Sequence, residues 1–442
     1  MSEIRTAHTP QTVDDNRPAE RDLASSRRRI LSASLVAVLS MAFLCLPSPP
    51  AMAANSDAGC QERWIGSWMA AKPVNSMQPS VGSDTPRSFV DQTLRMIIGP
   101  HYDGGSLRLT LSNRYGSTPV TFDSVYVGMQ ASGADIVAGT NRSLAFGGKA
   151  SVTVPVGSVV TSDELAFDVK AFRHLAVSFH VVGGPIVLDE HPEPSQESYL
   201  TSSGSGNVAA ATSGSGFSAV PALYALEELD VRAAGQVGTV VTLGDSITDG
   251  TGSTWGTDNR YPDLLQRTLQ ARGNGKKFSV LNAGLGANAA SVDSILTGPS
   301  GASRFSRDVA SRPGVTDVVL LEGINDIGLY GSSADQITAA LASIASQAHA
   351  DGYTIKAGTL LPFEGAFYYS SAGESTRQAV NAWIRSAGVF DHVVDFARAM
   401  QDPANPRQIN PAYDSGDHLH PNDAGYAHMA SNIDPSTFHT TC

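Results

Sequence analysis

Four short stretches in the second half of the chain carry the residue types that acyl transfer needs. Gly244-Asp245-Ser246-Ile247-Thr248 follows the apolar run Val240 to Leu243, which puts Ser246 at a strand-to-helix turn. A serine there stands at a sheet edge with its backbone N–H free to meet a substrate, although an ordinary helix N-cap by Ser or Asp fits the same triplet. In Leu281-Asn282-Ala283-Gly284-Leu285-Gly286-Ala287-Asn288 a strand runs into glycines. Glycines let backbone approach a ligand closely, and they also serve any βα turn. Glu322-Gly323-Ile324-Asn325-Asp326 follows Val318 to Leu321. The Asn325 amide could donate to a developing oxyanion, or Asn325 or Asp326 could cap the next helix. In Asp417-His418-Leu419-His420-Pro421-Asn422 a histidine can take the serine proton while a carboxylate three residues earlier holds its other ring nitrogen. His418 and His420 with Asp414, Asp417 and Asp423 also suggest a metal cluster, which would leave Ser246 and Asn325 unexplained.

These stretches need strands that end together. Beyond Ala233-Ala234-Gly235-Gln236, apolar strands at Val240 to Leu243, Val280-Leu281, Val318 to Leu321, Ile355 to Leu361 and Val393-Val394 alternate with helical patterns near 261–271, 335–350, 374–387 and 421–431. Such alternation predicts a mostly parallel sheet covered on both faces, with chemistry at its carboxyl edge. From about Trp64 to Arg232 the period is two instead. Leu107, Leu109 and Leu111 are one such run, and Leu175, Val177, Phe179 and Val181 another, which predicts an antiparallel β-sandwich. Residues 202–216, rich in Ser, Gly, Ala and Thr, read as an exposed loop. The division is then 54–235 for the sandwich and 236–442 for the α/β domain.

At 442 residues, 41% hydrophobic and 16% charged, the chain fits two globular units and neither a wholly disordered nor a polytopic membrane protein. A net charge of −12 offers no footprint for nucleic acid or an anionic membrane. Residues 1–53 read as an export signal: Arg27-Arg28-Arg29, an apolar run from Ser32 to Leu46, and Ala51-Met52-Ala53 as the cleavage site. The paired arginines resemble a twin-arginine signal, and the apolar run is too short, and too quickly broken by Pro47, Pro49 and Pro50, for a membrane anchor. The three cysteines match neither a disulfide framework nor a zinc knuckle. Cleavage would remove Cys45 and leave Cys60 and Cys442, expected to be bridged in an oxidising compartment.

Taken in order over roughly residues 238–435, the four stretches resemble the blocks of the GDSL, or SGNH, hydrolase family, centred on a Ser, a Gly, an Asn and a His. Upstream, Trp64-Ile65-Gly66-Ser67-Trp68, Gln92-Thr93-Leu94-Arg95 and Leu111-Ser112-Asn113-Arg114-Tyr115-Gly116 look like the β-rich N-terminal part of secreted actinobacterial members. The resemblance implies a three-layer α/β/α, flavodoxin-like hydrolase domain. It also implies Ser246 as nucleophile, His420 as general base and acid, and Asp417 as its orienting carboxylate. The oxyanion hole would comprise the Ser246 N–H, a backbone N–H from Gly286 or Ala287, and the Asn325 side chain. No metal or cofactor is implied. Ala287 departs from the pattern, standing where the family usually has glycine.

The expected protein is a secreted serine esterase acting on a small-molecule ester, with short-chain or acetylated-carbohydrate esters competing with lipid esters. The alternatives are a non-catalytic carbohydrate-binding or adhesion protein and a metallohydrolase built on Asp417-His418-Leu419-His420. Neither nucleic acid nor stable membrane insertion is expected. Phe363, Phe367, Tyr368 and Tyr369 could line an acyl or sugar site or simply pack. Trp64 and Trp68 fit core and platform equally, and His101, His174, His180 and His392 read as structural.

Overall fold

A computed structural model describes residues 60–73, 88–192, 194–272, 277–295 and 297–442. The expected export signal, 1–53, lies outside them, as does Cys45.

The period-two region forms two large antiparallel sheets and two two-stranded ones, Ser88–Phe89 with Ile186–Val187 and Glu190–Pro192 with Ala222–Tyr224. One large sheet has the order Arg63–Met69, Leu226–Ala233, Gly104–Asn113, Leu165–Val169; the other centres on Gln92–Ile98, Leu175–Val181 and Val120–Ser132. Alternate residues decide what is buried. Leu107, Leu109 and Leu111 from the first sheet share one core with Leu94, Met96, Val125, Val127, Val177 and Phe179 from the second. Each such side chain contributes about 1.5–3 kcal/mol by leaving water. The loop 202–216 is largely exposed but tethered: buried Arg95 donates to Ala211 O at 2.6 Å, and Thr93 Oγ1 donates to Gly206 O at 3.0 Å.

From Val237 onward five strands form a wholly parallel sheet in the order Lys277–Gly284, Val237–Gly244, Val315–Leu321, Thr354–Gly358, His392–Val394. Val240, Val241, Thr242 and Leu243 are all buried, as continuous apolar runs in a parallel sheet should be. The strand expected to reach Leu361 ends instead at Gly358. Beyond it the Leu360 backbone leaves the ladder: its N–H donates to Asn381 Oδ1 (2.7 Å) and its carbonyl accepts from Asn381 and Arg377, both on the helix Ser371–Ser386.

Register brings three of the four stretches level, because Gly244 pairs with both Gly284 and Leu321. The first strand stands second in the sheet, so the order reverses between Val237–Gly244 and Val315–Leu321. In open α/β sheets ligands bind in the crevice at such a switch point. The fourth stretch returns to it through the helix Asp423–Ser431, where Asp423 accepts from Thr254 N–H (2.8 Å) and Tyr426 donates to Thr251 O (2.6 Å).

The described residues from Cys60 onward form one compact unit. Ser279 donates to Gly66 O at 2.6 Å, and a Cβ at Gly66 would lie 2.6 Å from Leu281 Cδ1, so only glycine allows this approach. His101 links Val280 O (2.6 Å) to Asp263 (3.0 Å), and Arg312 pairs with Glu227 (3.0 Å) and Glu228 (2.6 Å). Cys60 and Cys442 are disulfide-bonded, and Arg63 donates to Val237 O and Thr441 O at 2.6 and 2.8 Å. Trp68 is core, whereas Trp64 carries the guanidinium groups of Arg108 and Arg232 on its ring.

Candidate active site

The strand Val237–Gly244 delivers Ser246 to the first position of a one-turn helix, Ser246–Asp249, capped by Asp245, whose carboxylate accepts from Ile247 N–H at 2.9 Å. Capping by Asp245 and exposure of Ser246 are therefore one arrangement. The turn packs hard on the neighbouring strand end: a Cβ at Gly284 would sit 2.1 Å from Asp249 N.

Ser246 Oγ lies 2.8 Å from His420 Nε2, and His420 Nδ1 lies 2.5 Å from Asp417 Oδ2. The other Asp417 oxygen accepts from the N–H groups of Leu419 (2.9 Å) and His420 (2.8 Å). Burial pushes the Asp417 carboxyl up, but the His420 hydrogen bond and charge, with these backbone donors, outweigh it and hold it well below the usual carboxylate range. His418 turns away, its Nδ1 2.7 Å from Asp414. Both ring nitrogens of His420 are thus engaged by Ser246 and Asp417, and the two histidines do not converge as metal ligands would. Among the described residues no cluster of three metal-ligating side chains occurs.

Ser246, Gly286, Ala287, Asn325 and His420 line a hollow of about 250 Å³. Asn325 Nδ2 donates to Asn288 O (2.8 Å), which fixes the amide plane, and Tyr368 donates to Asn325 Oδ1 (3.3 Å). Burial pushes the Tyr368 phenol up, so it remains a donor. Asp326 accepts from the Ala290 and Ser291 N–H groups at 2.7 and 2.9 Å, tying the third stretch to the loop after the second. Ala287 has φ +57°, in the left-handed region that favours glycine, so its methyl costs about 1–2 kcal/mol there. The expected aromatic loop divides in function. Phe363 is core, while Tyr368 and Phe367, the latter 84% exposed, border the hollow.

Three contributors escaped the sequence reading. Fully buried Arg304 donates to Gly244 O (2.8 Å), Ala283 O (2.7 Å), Asn288 Oδ1 (2.8 Å), Glu322 (3.1 Å) and Asp308 (3.1 Å), joining three strand ends. Its only sequence signal, Asp308 four residues on, reads as a helix-surface pair. Burial pushes Glu322 well up, with Asp245 raising it further, and burial with the nearby Asp326 charge pushes Asp245 to about 7. His191, from the β-rich part, joins Ala71 O (2.7 Å) to Asp249 (3.0 Å) of the Ser246 turn, and adjacent Pro192 lines the hollow. No local pattern marks either residue.

A serine–histidine–carboxylate relay at the switch point of a parallel sheet defines a class, the serine-type hydrolases of α/β architecture. Residues 242–428 match the GDSL-like lipase/acylhydrolase family. The protein is a carboxylic ester hydrolase, and the binding-scaffold alternative is not favoured. No curated protein matches the chain. Solved structures similar to it include a lipase/acylhydrolase from Enterococcus faecalis, 19% identical, covering 44% of this chain and 93% of its own, with a TM-score of 0.36. A carbohydrate acetylesterase family member from Sinorhizobium meliloti is 16% identical over 45% of this chain and 96% of its own, with a TM-score of 0.37. The M. smegmatis aryl esterase is 18% identical over 44% and 95%, with a TM-score of 0.36.

Proposed function

We propose that the protein is a secreted serine esterase of short-chain carboxylic esters, with a β-sandwich over 54–235 and a three-layer α/β/α hydrolase domain over 236–442. Ser246 Oγ attacks the ester carbonyl carbon as His420 Nε2 takes its proton. The resulting oxyanion is held by the Ser246 N–H, an N–H from Gly286 or Ala287, and the second Asn325 amide hydrogen. Collapse breaks the bond to the alcohol oxygen, which leaves with the proton from His420. Water, deprotonated in turn by His420, then releases the acid and restores Ser246. Asp417 holds the imidazole with its proton on Nδ1.

The observation that carries this reading is the 2.8 Å and 2.5 Å relay opening onto a hollow that Asn325 also lines. The short-chain preference rests on the hollow's volume, about 250 Å³, below the usual range for drug-sized ligands. The Cys60–Cys442 disulfide supports an oxidising destination. A nitrophenyl ester series from acetate to palmitate tests it. Wild type should prefer the short end, and Ser246→Ala should lose at least about a thousandfold in kcat. Equal hydrolysis by the variant would overturn the assignment.

A further inference from the structure

A second hollow of about 480 Å³ adjoins the catalytic one, and Thr251 lines both. Ser195, Glu197 and the apolar stretch 219–221 of the β-rich part form one wall, and Thr251, Gly252 and Trp255 of the hydrolase part form the other. Trp255 is 40% exposed, and its indole also borders a further hollow of about 240 Å³ beside Tyr199. It is the only exposed tryptophan among the described residues.

The loop carrying Trp255 is held from both sides. Gly256 N–H donates to Ser195 O (2.9 Å), Thr254 N–H donates to Asp423 (2.8 Å), and Asp258 accepts from Gln196 (3.0 Å) and pairs with His174 (2.8 Å). The backbone that carries the indole is therefore held on both sides before any ligand arrives.

We propose that this groove is the alcohol subsite and that its occupant is a neutral glycan, so that the substrate is an acylated oligosaccharide; this rests on the esterase reading above. The acyl group fills the hollow at Ser246, and the glycosyl part runs past Thr251 to lie with its C–H face on Trp255. A flat indole suits the apolar face of a sugar ring. Glu197, exposed at the rim, accepts ring hydroxyls. The same carboxylate repels an anionic glycan. Without a groove built from both parts, the β-rich part would touch the reaction only through His191 and Pro192.

The full chain is assayed on acetylated xylo-, manno- and cello-oligosaccharides and on nitrophenyl acetate. In Trp255→Ala the ratio of kcat/KM for the best oligosaccharide to that for nitrophenyl acetate should fall about tenfold, through KM, and Trp255→Phe should recover most of it. Ser246→Ala should bind the deacetylated oligosaccharide, read by isothermal titration calorimetry, and the Ser246→Ala/Trp255→Ala double variant should not. An unchanged ratio, or cleavage of nitrophenyl acetate with none of the three oligosaccharides, would overturn the glycan subsite while leaving the esterase reading intact. Loss of the esterase reading would instead show as hydrolysis that survives Ser246→Ala, and the binding arm would still report on the groove.

Discussion

Whether His420 can take a proton depends on how completely Asp417 stays ionised. Because hydrogen bonds and the His420 charge hold the Asp417 carboxyl below its ordinary range, it stays an anion through the pH range in which carboxyls ordinarily protonate. The base must be neutral to accept the Ser246 proton, so kcat/KM should fall as pH is lowered, along a limb fitted by a single protonation. A limb requiring two protons would remove Asp417 from the role. Asp417→Asn should lower kcat by about ten-thousandfold near neutrality by losing the hold on the tautomer. At the same scale Ala287 records a tension, since its φ of +57° suits the glycine usual at that place. In the proposed mechanism a backbone N–H at this place can serve from alanine as from glycine.

Within the apolar core of the parallel sheet, a buried arginine ties the strand ends together. Arg304 satisfies acceptors on the strand ends at Gly244 and Ala283 and on Glu322, so it sets how the first three stretches lie against one another. Arg304→Met should cost about 3–5 kcal/mol of unfolding free energy, because Glu322 and Asp308 would be left buried with fewer partners. Chemical denaturation measures this, and a loss below about 1 kcal/mol would mean that the strand ends hold their places without it. The Ser246 turn has a second brace in His191, which reaches Asp249 from another sheet. Of the elements themselves, the helices Tyr261–Arg272 and Ala334–Ala350 and the strands of the parallel sheet were legible from apolar periodicity. The misplaced strand end at Gly358 was not, because the apolar run continues to Leu361 while Asn381, distant in sequence, captures the Leu360 backbone.

For the whole molecule, the described chain is closed end to end by Cys60–Cys442, with Arg63 reaching Val237 and Thr441 beside the bridge. A loop of sequence separation 382 gives an upper figure of about 6 kcal/mol in the chain-entropy treatment. Reduction should therefore lower the denaturation midpoint, and Cys60→Ala/Cys442→Ala should reproduce the shift. Equal midpoints would mean that Arg63 and the packing of Gly66 on Leu281 already hold the ends.

By itself the sequence determined which chemistry was available: a serine after a strand, an asparagine after another, and a His three residues beyond an Asp, set in runs of period two and then of βα alternation. Those features are local, and spacing encodes them. Tertiary structure alone decided that Ser246 and His420, separated by 174 residues, meet at 2.8 Å, and that Asn325 commits one amide hydrogen to Asn288. It also decided that Arg304, His191 and Trp255 stand around the site. The reason is physical: a buried charge or an exposed ring acquires its meaning from partners that sheet register and the docking of the two parts bring to it, and no linear spacing records those partners.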